Sequence, residues 1–412
     1  MKKIIISLVI FLPFFASCKI QEAEAPKIDF SAASPWKIEV RHGKGTVNWN
    51  PQTGIGDCEY LKIESEDESD VLFYQTLNLK PGHVYRISAE YKTTDVTGTH
   101  GAAIWLKDTW INSAIKNGTT DWQKYSLVFL TPENGRADIA FRLWASSGAA
   151  HFRNPEIELL DFHSVSSEYL TFRVDKKHLA DIRPETVADW LANMDRVYEK
   201  YVELIGKKPY DGKRITILGV EQYPWGWAVA GNPIIWYDRF IPSELANIQE
   251  KGDWSFGIMH EIAHNFNASD GYAIKGCNEN WNWNEEMFAN FRMYYAVETL
   301  NGAFLQRNKL YRGDEAKYFY KTDVGDSYDK LFPEGKFGHD ALMYTFIRIK
   351  DEIGWEPFKK TFARAYDHKT EFVCDWDKFN YFLDLLSEYA SFDVRATYLD
   401  GELETVRRHL QK

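Results

Sequence analysis

Two histidines four residues apart, with a glutamate directly after the first, stand at His260-Glu261-Ile262-Ala263-His264. On an α-helix such histidines are separated by about 40° around the axis, so both imidazoles can reach one metal ion from a single turn. Zinc suits that geometry. A carboxylate one residue after the first histidine flanks the same face, where it can take a proton from water rather than bind the ion. A catalytic zinc site needs three protein ligands and one open position, so a third ligand must come from another stretch. Asn284-Glu285-Glu286 is the candidate, and at this level either glutamate could serve.

The elements that must position these groups are both helices. Trp254, Ile258, Ile262 and Phe266 recur at helical spacing beside the histidines, no proline interrupts them, and Asp253 is a plausible N-cap. Met287, Phe291, Tyr294 and Tyr295 form the apolar stripe of a second helix, with Asn284 as its cap.

The two stretches together resemble the gluzincin metallopeptidases, in which a glutamate on the second helix completes the zinc site. In the gluzincin aminopeptidases that ligand is followed by x-Phe-Ala, and Glu286-Met287-Phe288-Ala289 fits the frame whereas Glu285 does not. The resemblance therefore implies Zn²⁺ held by His260, His264 and Glu286, Glu261 as the base, and Asn290 supporting His260 from behind. Glu285 is then a first-turn carboxylate favoured by the helix dipole. Among gluzincins the chain is most similar to the enhancin-like, mucin-targeting peptidases, through His260-Glu261-Ile262-Ala263-His264-Asn265, Glu286 to Asn290, and Ala230-Gly231-Asn232-Pro233-Ile234. The likeness spans roughly residues 165–412. Two departures stand out: the aminopeptidase motif Gly-x-Met-x-Asn is absent, and Glu285 occupies a position where the enhancin-like pattern often has glycine.

The rest of the chain supplies context. Met1-Lys2-Lys3 and the apolar run Ile4 to Phe15 read as a secretory signal, and Phe15-Ala16-Ser17-Cys18 resembles a bacterial lipobox, so residues 1–18 are expected to direct export and lipid anchoring at the periplasmic or outer face, with 19–27 as a linker. With Cys18 lipidated, only Cys58, Cys277 and Cys374 remain, and at most one disulfide can form. The 412 residues are 44% hydrophobic, enough to fill two cores without such staples. A net charge of −11 without basic runs excludes nucleic acid and confines membrane contact to the anchor. A monomer is expected.

Residues 28–162 read as an all-β sandwich of short alternating runs separated by turns such as Lys80-Pro81-Gly82 and Glu133-Asn134-Gly135. The order of features resembles carbohydrate-binding modules of families four and nine, which implies a possible glycan at this domain. Trp49, Trp105, Trp110 and Trp144 are the candidates for stacking on a sugar, Trp110 first because of its polar setting. Residues 163–412 read as an α+β metallopeptidase domain, with Pro184 to Ile205 as a long helix and a mostly helical half after residue 300. By the resemblance, the Gly/Pro-bounded segment 223–239, with Trp227 and Gly231, is the substrate-binding edge; Tyr272 and Trp281 in the loop between the two helices could line the cleft. A peptidase also needs a donor for the developing oxyanion, and Tyr344 and His339 are candidates. The expected activity is zinc-dependent cleavage within a protein or glycoprotein chain. The competing expectations are a gluzincin acting on free peptides or as an aminopeptidase, and a non-catalytic glycan-binding surface protein with a vestigial zinc site.

Overall fold

The computed structural model describes residues 28, 35–49, 61–268, 286–325, 327–336, 338–366, 372 and 374–411. The signal and lipobox, Cys58, Tyr272, Cys277, Trp281, Asn284 and Glu285 lie outside these.

The N-terminal region is antiparallel: β1 (Lys37–His42), β2 (Thr46–Asn48), β3 (Leu61–Asn78), β4 (Val84–Leu106), β5 (Gly118–Leu130) and β6 (Arg136–Leu159) form one sheet in the order β1-β3-β6-β4-β5, with β2 on β3. The short runs expected from sequence are merged here into strands of up to 24 residues. The reason is visible in the register, which shifts between Ser65 and Ser69 on β3 and between Thr94 and Gly101 on β4. An irregularity of that kind bends a strand without ending it. The bend is sharp, because the rings of Phe141 and Phe152, eleven positions apart on β6, lie 5.1 Å apart, where an extended strand would separate them by roughly 36 Å. The sheet thus doubles over, and both arms bury one core that includes Ile63, Phe73, Tyr91, Ile104, Phe129 and Phe152.

A second sheet follows. Strands β7 (Phe162–Ser166), β8 (Leu170–Asp175), β9 (Ile215–Val220), β10 (Ala228–Val229) and β11 (Ile234–Tyr237) run in the order β10-β11-β9-β8-β7. The central strands β8, β9 and β11 are parallel and the two edges antiparallel. Parallel neighbours need a crossover, and α1 (Pro184–Ile205) supplies the one from β8 to β9. Its Pro184 sits at the first turn, and Gly206, at φ 83°, closes it by donating to the Val202 carbonyl.

After α2 (Ile241–Lys251), the helices α3 (Phe256–Ala268) and α4 (Met287–Leu300) lie side by side at the centre of the second core. Every side chain of α4 from Met287 to Val297 is buried, so it is a central helix rather than one with a single apolar stripe. A hairpin, β12 (Ala303–Gln306) with β13 (Lys309–Arg312), leads into the helical half: the short turns α5 (Ala316–Tyr318) and α6 (Tyr328–Leu331), then α7 (His339–Ile353), α8 (Glu356–Tyr366), α9 (Asp375–Ala390) and α10 (Glu402–Leu410). The terminal helix α10 begins only after Gly401, which takes φ 81°.

The two cores are joined tightly. Arg86 on β4 grips Glu221 through two bonds of 2.9 Å, and Gln222 forms a reciprocal pair with the backbone of Val128, accepting at 3.0 Å and donating at 2.8 Å. Val84 and Val128 meet Leu218, Val220 and Ile235 in a small apolar cluster between them. Among the described residues no helix is long and apolar enough to cross a membrane.

Candidate metal centre

Helix α3 buries Ile258, Met259, Ile262, Ala263 and Phe266 and turns His260, Glu261 and His264 the other way. It is anchored from behind where the Tyr201 hydroxyl donates to the Met259 carbonyl at 2.9 Å. Its start differs from the expectation of an Asp253 cap. The Asp253 carboxylate accepts from the backbone of Ser255 and of Leu305, both at 3.0 Å, and so ties the approach loop to β12. Ser255, at φ 65°, makes the turn into the helix, and the first helical bond runs from Met259 N–H to its carbonyl.

His260, His264 and Glu286 converge. The two Nε2 atoms are 2.9 Å apart, Glu286 Oε2 lies 3.1 Å from His260 Nε2, and Oε1 lies 3.5 Å from His264 Nε2. Ligand atoms placed about 2.0–2.2 Å from a tetrahedral zinc ion stand roughly 3.2–3.6 Å from one another. The observed separations of 2.9, 3.1 and 3.5 Å are slightly tighter than that, and the two-nitrogen, one-carboxylate donor set is the one such an ion takes. Nδ1 of His260 bonds Asn290 Oδ1 at 2.8 Å, which places the proton on Nδ1 and leaves the Nε2 lone pair facing the cluster. Three electron-rich groups facing one another repel unless a cation lies among them.

Glu261 does not join the cluster. It accepts the backbone N–H of Ala230, just beyond β10, and burial pushes its carboxyl above the ordinary value against the opposing pull of His260 and His264. One turn on, Asn265 donates to the Gly231 carbonyl at 3.0 Å and accepts from the Tyr210 hydroxyl at 2.9 Å. Helix α3 is therefore bonded twice to the segment 230–231, which continues the edge strand of the second sheet. Gly231 adopts φ 146°, a backbone state L side chains rarely take. The roles of Asn265 and Tyr210 were missed by sequence reasoning; the Asn265 that extends the motif was the only available signal.

The other candidates fall elsewhere. Trp227 packs on Trp236 at 5.1 Å and fills the space over Gly257, where an added Cβ would stand 2.4 Å from its ring. Tyr344 packs on Tyr328 at 5.0 Å, and His339 Nε2 lies 3.3 Å from its neighbour Asp340. Neither makes a contact with the cluster among the described residues. Of the four tryptophans proposed for sugar stacking, Trp49 packs on Phe73, Trp105 lies under Arg41 and Arg142, and Trp144 is sandwiched between Arg142 and His100. Trp110 remains 78% exposed.

No protein-family model matches the chain. TRPM8 channel-associated factor 2 of Mus musculus is 26% identical over 197 residues, which is 45% of this chain; the chain thus spans about a fifth (19%) of that relative's length. Among solved structures, a metallopeptidase in complex with Tn antigen is 12% identical with a TM-score of 0.42, covering 79% of this chain and 65% of that one. A metallopeptidase from Bacteroides thetaiotaomicron is also 12% identical, with a TM-score of 0.40, covering 76% of this chain and 57% of that one.

Proposed function

We propose that the protein is an exported zinc endopeptidase that hydrolyses peptide bonds in glycosylated, mucin-like proteins. Residues 163–412 are its peptidase domain and 28–162 a glycan-binding sandwich; the export signal and lipobox hold it to a bacterial membrane as a monomer. The observation that carries the reading is the convergence of the His260, His264 and Glu286 donor atoms beside a second carboxylate, Glu261, bonded to the strand edge next to them.

A zinc ion held by His260, His264 and Glu286 supplies Lewis acidity to a substrate carbonyl and lowers the pKa of a water molecule. Glu261 takes the proton from the attacking water and delivers it to the departing amine. The edge strand β10 pairs with the extended substrate backbone and lays the scissile carbonyl across the mouth of α3. An exopeptidase would bind the substrate's free N-terminus; the missing Gly-x-Met-x-Asn motif favours internal cleavage.

The test is cleavage of a mucin-type O-glycoprotein by the purified chain beside Glu261→Gln, with zinc measured on both. The substitution is expected to lower the rate by roughly 10²–10⁴-fold at unchanged zinc content. Equal activity in the two samples would sink the assignment of Glu261, and absence of zinc from both would remove the site. Cleavage that persists on an N-terminally blocked peptide separates an endopeptidase from an aminopeptidase.

A further inference from the structure

Between the doubled sheet and the second sheet lies a cavity of about 1240 Å³. We propose that it is a saccharide subsite, built jointly by both units, that receives an acidic glycan carried by the substrate whose backbone lies along β10. The substrate part of this proposal rests on the peptidase reading above.

Two exposed indoles face the cavity, one from each unit: Trp110, and Trp225, which is 51% exposed. Trp225 holds φ 73°, a costly state for a bulky side chain, and its Nε1 donates across the interface to Asn112 Oδ1 at 3.1 Å. Flat apolar faces flanked by polar groups match a pyranose, which presents C–H groups on its faces and hydroxyls around its rim. Polar side chains stand among these rings: Arg173, which bonds the Gly82 carbonyl through Nη1, and His100 both line the cavity. Burial and the nearby Arg142 lower the His100 pKa, so its ring is neutral and can donate or accept.

The charge of the lining favours an acid. Asp108 is engaged by Arg41 and Lys107, and Glu133 lies 3.3 Å from Lys213. Arg173 and Arg214 bond only backbone carbonyls, those of Gly82 and Glu168, among the described residues. A protein of net charge −11 therefore keeps two guanidinium groups without a carboxylate at this cavity. A sugar carboxylate or sulfate can take a planar, two-pronged bond from such a group.

The cavity also borders the candidate metal centre. Ala230 and Gly231 line it, and the same two residues bond Glu261 and Asn265 of α3. A glycan seated there shares the wall at Ala230 and Gly231 with the proposed base, so a glycosylated residue and a neighbouring scissile bond can be held at once.

The experiment uses the zinc-loaded full chain carrying Glu261→Gln, titrated calorimetrically with three probes: an O-glycopeptide bearing a sialylated disaccharide, its desialylated form, and the bare peptide. Affinity is expected to fall in that order. Trp110→Ala should reduce the ratio of glycosylated to bare affinity by about tenfold, and Arg173→Gln should abolish the preference for the sialylated form. Trp110 is exposed, so its loss does not endanger folding. Equal affinity for all three probes, or a ratio unmoved by Trp110→Ala, overturns the subsite even if the parent enzyme cleaves proteins. If no protein is cleaved but the free sialylated saccharide binds in a Trp110- and Arg173-dependent manner, the cavity stands as a saccharide site and the peptidase reading fails.

Discussion

A histidine can offer a metal either ring nitrogen, and at His260 the choice is made by Asn290. The 2.8 Å bond to Nδ1 commits Nε2 to the cluster and fixes the ring plane. Removing that bond leaves the ligand chemically intact but free to rotate or change tautomer. Asn290→Ala should therefore weaken zinc binding by about 10–100-fold while the circular dichroism of the zinc-loaded protein stays that of the parent. Zinc competition with a chromophoric chelator measures this; parental affinity would show that Asn290 serves only to fill the space between α3 and α4. Glu286→Gln is a harsher change, because it removes the charge that offsets the ion.

At the scale of the element, α3 is held against its surroundings on several sides, and two residues outside the metal cluster test how firmly. Gly257 lies under Trp227, and a Cβ there would meet three ring atoms at 2.4 to 2.8 Å. Alanine at a helical glycine usually gains about 1 kcal/mol, but overpacking costs about 1–3 kcal/mol. Since the opposing group is a rigid indole, Gly257→Ala is expected to lower the urea midpoint. Near the start of α3, Glu244 accepts from the Ser255 hydroxyl at 3.0 Å, and burial, with Asp253 adding repulsion, raises its pKa to about 7. The folded protein thus binds a proton there that the unfolded chain, titrating near 4.5, releases earlier. This group's contribution is fully present below pH 4.5 and is lost as the pH rises towards 7. Glu244→Gln keeps a hydrogen-bonding group without the charge, and should stabilise the fold by roughly 3 kcal/mol at pH 8 and by little at pH 4.5. Thermal melts of both proteins across that range decide it; a gain independent of pH would contradict the assigned cause.

At the scale of the molecule, the two cores behave as one body if the contacts between them carry weight. Gln222 is the most demanding, since it is buried and satisfies both the N–H and the carbonyl of Val128. Gln222→Ala leaves both backbone groups without a partner at a cost of roughly 2–4 kcal/mol. We expect calorimetry to show one unfolding transition for the parent and two for the variant. A single transition shifted downward would mean that the apolar cluster around Leu218 and Val220 is enough to couple the halves.

What could be read from the sequence is what depends on local spacing. Histidines at i and i+4 must share a helix face, Pro184 opens a helix wherever it packs, and the frame of Glu286 with Asn290 places two polar groups on adjacent turns; in the fold these groups of the metal centre lie side by side. What could not be read depends on which distant surfaces meet. Asp253 looked like a cap, yet its carboxylate serves a strand fifty residues on, at Leu305. The turns at Lys80-Pro81-Gly82 and Glu133-Asn134-Gly135 do end strands, but runs expected to be separate are joined through bends within β3 and β4, because a shifted register lets the chain continue where an alternating pattern alone suggests a stop. Of four tryptophans that could have formed a sugar platform, the polar setting pointed to Trp110 first, but only the packing shows that Arg142, His100, Arg41 and Phe73 cover the other three. The cavity shared by Trp110 and Trp225 has no sequence signal, because its walls come from strands and loops more than a hundred residues apart that touch only in the folded chain.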